Sequence, residues 1–178
     1  NIPGGSATAS FYFRGTAAGN VLLTATVTGL TPGTQSQTIT PGPAASFQWN
    51  ALAPALTLTV PFGATVSARD AFGNLATSFT QTAALTLAPA ATTVACTASC
   101  TNATTTDVFS AGVWTGTLTL GGGPGTASVL TATQGVVTGN SAPFDVVNAN
   151  RTPPTARFTV TPRVITVGQT VTFNASTS

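Results

Sequence analysis

The sequence predicts an all-β protein built from packed sheets, and three observations carry that prediction. Between residues 56 and 68 every even position is apolar, Leu56, Leu58, Val60, Phe62, Ala64, Val66 and Ala68, with Thr, Pro, Gly and Ser between them. That is the period of two that turns one face of a strand into a core. Thr occurs 38 times in 178 residues, and with Ala, Val, Gly and Ser it makes a β-branched, small-residue chain suited to pleated sheets rather than helices. Clusters of turn-forming residues separate the strand-like runs at roughly 8 to 12 residue intervals, the spacing of a sandwich of short strands.

Taken in order, residues 7–14, 20–28 and 34–40 read as strands, separated by residues 15–19 and by Gly29-Leu30-Thr31-Pro32-Gly33. Three strands do not close a sandwich, so residues 1–43 are expected to be the last strands of a repeat. Residues 44–148 hold a complete set: 45–49, the long run 56–69, then 77–80, 83–87, 112–120, 126–133 and 140–147. Their number and spacing predict an immunoglobulin-like sandwich. The long run ends at Asp70-Ala71-Phe72-Gly73-Asn74, where Gly can take a positive φ and the Asp and Asn side chains can bond nearby backbone, so run, turn and return past Leu75 read as one hairpin. Residues 90–106 lack clear alternation.

Asn20 to Thr40 and Ala127 to Val146 share LTAT and a Gly/Thr turn, an internal repeat of roughly 105 residues that points to tandem modules. Residues 149–154 contain the stiff pair Pro153-Pro154 and read as a linker. Residues 155–178 supply two more alternating runs, 156–161 and 170–174, the expected opening strands of a further module. The predicted architecture is tandem immunoglobulin-like β-sandwiches, one complete central domain flanked by partial ones.

Only eight residues are charged: Arg14, Arg69, Asp70, Asp107, Asp145, Arg151, Arg157 and Arg163. The pI near 9.0 rests on a surplus of two charges, too few for a phosphate-tracking patch, so no nucleic acid partner is expected. A charged fraction of 4% is far below the roughly 25% of ordinary soluble domains. Such a surface is wetted by Thr, Ser, Asn and Gln, covered by glycan, or packed against other copies. Each option suits an extracellular or cell-surface protein better than a cytosolic enzyme. No apolar run approaches the roughly 20 residues of a membrane-spanning helix, and the start, NIPGGSATAS, has no leader pattern.

Two family resemblances sharpen this picture. PGPAASFQW followed by VSARDAFGN, then AGVWTGTLTL and SVLTATQG, resembles the bacterial Ig-like repeats found in tandem in invasin-type adhesins and other large surface proteins. PPTARFTVTPRVITVGQTVTFNAS resembles the opening of a PKD domain, another extracellular sandwich. Together they cover roughly residues 41–178, and residues 7–40 match the tail of the first type. The resemblance implies fold and setting, since such modules seldom carry catalysis.

The candidates for chemistry are few. Cys96 and Cys100 are the only cysteines; without CxxC spacing or any His, a metal site is disfavoured and a short disulfide-closed loop is expected. Asp70, Asp107 and Asp145 are the whole acid inventory, far apart and beside turns, which disfavours paired-carboxylate catalysis. Calcium at a module joint has only Asp145 near Asn148 to recommend it. With neither His nor Lys, no Ser or Thr nucleophile has a base, and the Gly121 to Gly125 run precedes no helix that would cradle phosphate. No catalytic residue, cofactor or metal ligand is assigned.

Phe11, Phe13, Phe62, Phe144, Phe158 and Phe173 are expected in cores, with Trp49 and Trp114 as plugs between sheets. Tyr12, facing out between two phenylalanines, is the one candidate for a carbohydrate platform. The N-glycosylation pattern at Asn102, Asn150 and Asn174 arises readily by chance in so Thr- and Ser-rich a chain and carries no argument.

The reading that results is a non-catalytic structural module of a large secreted or cell-surface bacterial protein: a stalk, adhesin shaft or extracellular filament subunit. The alternatives are a glycan- or protein-binding module and an accessory domain of a secreted enzyme. Expected partners are neighbouring Ig-like modules or other copies of the chain, and a host or surface glycan or protein. The partial modules at both ends are expected either to pack against adjacent chains by strand addition or to be completed by the rest of a longer protein.

Overall fold

A computed structural model of the chain describes residues 8, 10–89, 92–148, 159–161 and 166–174. They fall into two compact units, Asn1–Val147 and Asn148–Ser178, and the described residues form strands and turns without a helix.

The first unit begins with a hairpin, β1 (Gly19–Ala25) and β2 (Gly33–Ile39), in antiparallel register from Gly19 opposite Ile39 to Ala25 opposite Gly33. Residues 10–14, expected as a strand with Phe11 and Phe13 in a core, are not a strand, and both rings are exposed. Alternation marks a face but cannot supply the second layer that would cover it; Leu22, Val27 and Leu30 of the hairpin are exposed as well.

The sandwich follows: β3 (Ser46–Trp49), β4 (Ala55–Thr57), β5 (Phe62–Arg69), β6 (Ala84–Ala88), β7 (Thr92–Ala98), β8 (Cys100–Asn102), β9 (Thr105–Thr106), β10 (Val113–Gly122), β11 (Gly125–Gln134), β12 (Val137–Asn140) and β13 (Phe144–Val147). One layer runs β7-β10-β5-β3 and the other β12-β11-β6-β9-β8. A single parallel pair, Thr138 with Ser46, joins them at β3 and β12. Beyond β12, β13 continues alongside β11, and β4 pairs in parallel with β13.

The run 56–69, expected as one strand, is two. Thr59 takes φ 61° and Pro61 offers no N–H, so no ladder continues through them. β4 then pairs with β13, while β5 lies between β10 and β3. The even phase survives because both pieces face one core: Leu56, Leu58, Ala64, Val66 and Ala68 are buried, and only Val60, at the corner, is exposed. The expected hairpin return past Leu75 reduces to one bridge, Arg69 with Leu75. Residues 77–80 form turns closed by Thr77 N to Leu75 O and Phe79 N to Ala76 O, which bury Ala76 and Phe79 three apart instead of in alternation.

Residues 92–106, read as unpatterned, hold three strands. Thr92, Val94 and Cys96 are the buried set of β7, a period of two written in small and polar side chains. Phe47, Phe79 and Phe109 form the aromatic centre of the core, with ring centroids 5.1 to 5.4 Å apart, beside the buried Phe144. Trp49 and Trp114 are buried, and their indole N–H groups donate to Gly139 O at 3.0 Å and to Ser99 O at 2.6 Å.

In the second unit β14 (Thr159–Thr161) and β15 (Thr172–Asn174) pair antiparallel, Thr159 opposite Asn174. Of the expected runs 156–161 and 170–174, residues 159–161 and 172–174 are these strands, while Thr170 and Val171 precede β15 without being part of it; Phe158 and the linker residues 149–154 lie outside the described residues.

Candidate functional site

A polar side-chain network sits on the turn after β5. Asp70 is buried, 4% exposed, and Gly73 at φ 84° closes the turn through its N–H to Asp70 O at 3.0 Å. Asp70 Oδ1 accepts from the backbone N–H of Phe72 and of Asn74, each at 2.9 Å. Its Oδ2 accepts from Asn74 Nδ2 at 2.9 Å and from Gly42 N, also at 2.9 Å. The Asn74 side-chain bond, helped by the backbone donors of Gly42, Phe72 and Asn74 and opposed by burial, lowers the Asp70 pKa from 3.8 to about 2.

Asn74 carries the network outward. Its Nδ2 donates to Thr16 O at 2.8 Å and its Oδ1 accepts from Ala18 N at 2.9 Å. One amide thus reads both a carbonyl and an N–H of the extended segment before β1, a two-point grip on backbone that ignores side-chain identity. Arg14 adds a weaker tie, its guanidinium 5.4 Å from the Phe72 ring centroid. The turn therefore clamps the stretches on both sides of the β1–β2 hairpin to the sandwich.

The other sequence candidates do not converge on it. Cys96 and Cys100 are joined, with Cα atoms 5.9 Å apart, and shape the turn between β7 and β8, where Ser99 takes φ 59°. Asp107 accepts from Thr101 Oγ1 at 3.4 Å, and Asp145 accepts from Ala127 N at 3.1 Å. Among the described residues no three His, Cys, Asp or Glu side chains lie close enough to hold a metal ion. A groove of about 320 Å³ on the outer face of β3 and β5 is lined by Gln48, Asn50, Thr65, Ser67 and Arg69 with Trp49, a set with one guanidinium and no general base. Tyr12 is fully exposed, and Phe11 and Phe13 beside it are exposed too. Asn102 is exposed at the β8–β9 turn, its Oδ1 accepting from Thr104 N at 2.9 Å.

No protein-family model matches the sequence, and neither does any curated protein. Three solved structures resemble the chain in fold. Domains 1–6 of the surface layer protein SbsC match 80% of it at 18% identity, with a TM-score of 0.42. The S-layer protein rSbsC(31-844) matches 81% at 18% identity, with a TM-score of 0.43. A glycosyl hydrolase family 2 member from Bacteroides cellulosilyticus matches 74% at 13% identity, with a TM-score of 0.46. The chain spans 18% of the length of each of these proteins.

Sequence reasoning found the turn and its local bonds but not its reach. Gly42 is 28 residues from Asp70, and Ala18 is 56 from Asn74. Two short polar side chains four apart signal a turn; no periodic pattern announces that the spare oxygen and amide will hold distant backbone.

Proposed function

We propose that this chain is a non-catalytic structural segment of a large secreted or cell-surface bacterial protein, a stalk, shaft or filament segment made of β-sandwiches in series. In this reading residues 1–43 end one Ig-like repeat, 44–148 form a complete one, 149–154 link, and 155–178 open a PKD-like module. The observation that supports it most is where the buried carboxylate is used. Asp70, the one Asp that is buried, is consumed in holding Gly42 and Asn74, and Asn74 in holding Thr16 and Ala18. A surface with 4% charged residues also offers little repulsion to side-by-side packing of modules.

The exposed Phe11, Tyr12 and Phe13 favour one second reading, a glycan- or protein-binding module. An array of glycans, together with a panel of chromogenic glycosides and esters, separates the two. The structural reading expects no saturable binding and no turnover by the 178-residue chain. Saturable glycan binding that is lost in Tyr12→Ala replaces it with the binding module, and turnover that survives purification to homogeneity overturns it.

A further inference from the structure

We propose that the open edge of β1 accepts an incoming β-strand of the β6 kind, an extended segment with leucines two residues apart, contributed by the repeat that residues 1–43 close. This rests on the structural reading above, in which residues 1–43 end an Ig-like repeat. The β1–β2 hairpin repeats the end of the sandwich in register as well as in sequence. Ala25 is paired with Gly33 as Ala132 is with Gly139, and Val21 with Gln37 as Ser128 is with Phe144. Setting Leu23 on Leu130 also sets Phe11 and Phe13 on Leu118 and Leu120 of β10, which have no exposed surface. β1 thus stands where β11 stands in the sandwich, and residues 10–14 carry the apolar pattern of β10.

What differs is the other edge. β11 is paired there with β6, Leu130 opposite Leu87 and Ala132 opposite Leu85, and both β11 residues are fully buried. Among the described residues β1 pairs with β2 alone; Leu23 is partly buried and Ala25 exposed. Those two side chains, with Phe11 and the facing stretch Gly33 to Gln35, line a mostly apolar groove of about 540 Å³. The groove therefore lies over the two residues whose counterparts in the sandwich are covered by the leucines of β6. An open strand edge beside an apolar groove is a template for strand addition, in which backbone bonds hold the guest and its alternate side chains select it. Leu130 uses its N–H and its carbonyl on Ser141, so Val129 and Thr131 are the β11 residues whose backbone groups face β6. Their counterparts on β1 are Leu22 and Thr24, and an antiparallel guest in the β6 register places one leucine opposite Leu23 and the other opposite Ala25.

Residue-resolved NMR tests this, with the whole 178-residue chain titrated by a peptide carrying the β6 sequence, Thr82 to Pro89, flanked by lysines for solubility. Saturable one-to-one binding is expected, with shifts concentrated on Phe11, Leu23 and Ala25 and amide exchange slowed at Leu22 and Thr24. The sandwich, whose β11 edge already holds β6, should not respond. A second peptide with Leu85→Ser and Leu87→Ser keeps the backbone and the charge, and should bind more weakly by at least about tenfold for each leucine lost. In the chain, Thr24→Pro removes an N–H from the open edge and is expected to abolish binding; the peptide comparison leaves the chain unsubstituted, so it decides the matter even if T24P disrupts the hairpin. No saturable binding, or equal binding of the two peptides, overturns the proposal. Light scattering of the chain alone examines the other occupant. A concentration-dependent dimer that the peptide does not dissociate, with exchange already slow at Leu22 and Thr24, gives the edge to a second copy and overturns the proposal too. Failure here leaves the non-catalytic reading standing, since that is judged by the glycan and turnover assays.

Discussion

Val66 has no exposed surface, whereas Ser67, the next residue along β5, sits on the outer face opposite Gln48. A carboxylate at 66 would be buried among Trp49, Trp114 and Ala64 without a partner. Val66→Asp is therefore expected to cost about 3–5 kcal/mol, and Ser67→Asp less than about 0.5 kcal/mol; equal denaturation midpoints would show the phase of the strand to be wrong. Asp70 gives a second residue-level prediction. Its folded pKa, about 2, is below its ordinary 3.8, so the fold prefers the anion; the stability this contributes is complete above 3.8 and is lost as pH falls through about 2. Thermal midpoints should decline through that window, and Asp70→Asn should flatten the part of the decline that Asp70 causes. An unchanged acid slope in Asp70→Asn would contradict the network. Ser128 is fully buried, and its Oγ has no hydrogen-bond partner among the described residues. Removing an unsatisfied hydroxyl relieves its desolvation cost, so Ser128→Ala should leave stability unchanged or raise it by up to about 1 kcal/mol, as urea unfolding would measure.

At the seam between β3 and β12 the two backbones lie close together. A Cβ on Gly139 would be driven into the Phe47 carbonyl, and Gly139 O accepts the Trp49 indole N–H. Gly139→Ala should cost about 1–3 kcal/mol through forced separation of the strands; the Trp49 emission should shift as its bond lengthens, and unaltered stability would mean that the seam is slack. Most strands were legible in the sequence where large apolar side chains alternate, as in β5, β10 and β11. β7 was not, because Thr92 and Cys96 occupy two of its three buried positions, and polar or small residues do not register as a hydrophobic face. The break at Thr59 was hidden for the opposite reason. The alternation continues across it, since two strands of different pairing line the same core, and periodicity reports the face but not the neighbour.

For the whole molecule, composition and strand spacing were enough to name an all-β sandwich, because nearly every local preference agrees with it. The joint was not readable, since it depends on two polar side chains reaching backbone far away in sequence. Sequence reasoning also put Phe11 and Phe13 in a core, although the run that holds them has no covering layer among the described residues. The 70–74 turn fastens the chain before and after the β1–β2 hairpin to the sandwich. Amide hydrogen exchange resolved to single residues tests it most directly. Ala18 and Gly42, whose N–H groups are held by Asn74 and Asp70, should exchange far more slowly than the hairpin tip at Thr28 and Gly29. In Asn74→Ala, which removes a bond to a charged group worth about 1.5–3 kcal/mol, Ala18 should lose that protection while Val66 and Leu130 in the core keep theirs. Exchange at Ala18 and Gly42 as fast as at the tip in the unaltered chain would contradict it.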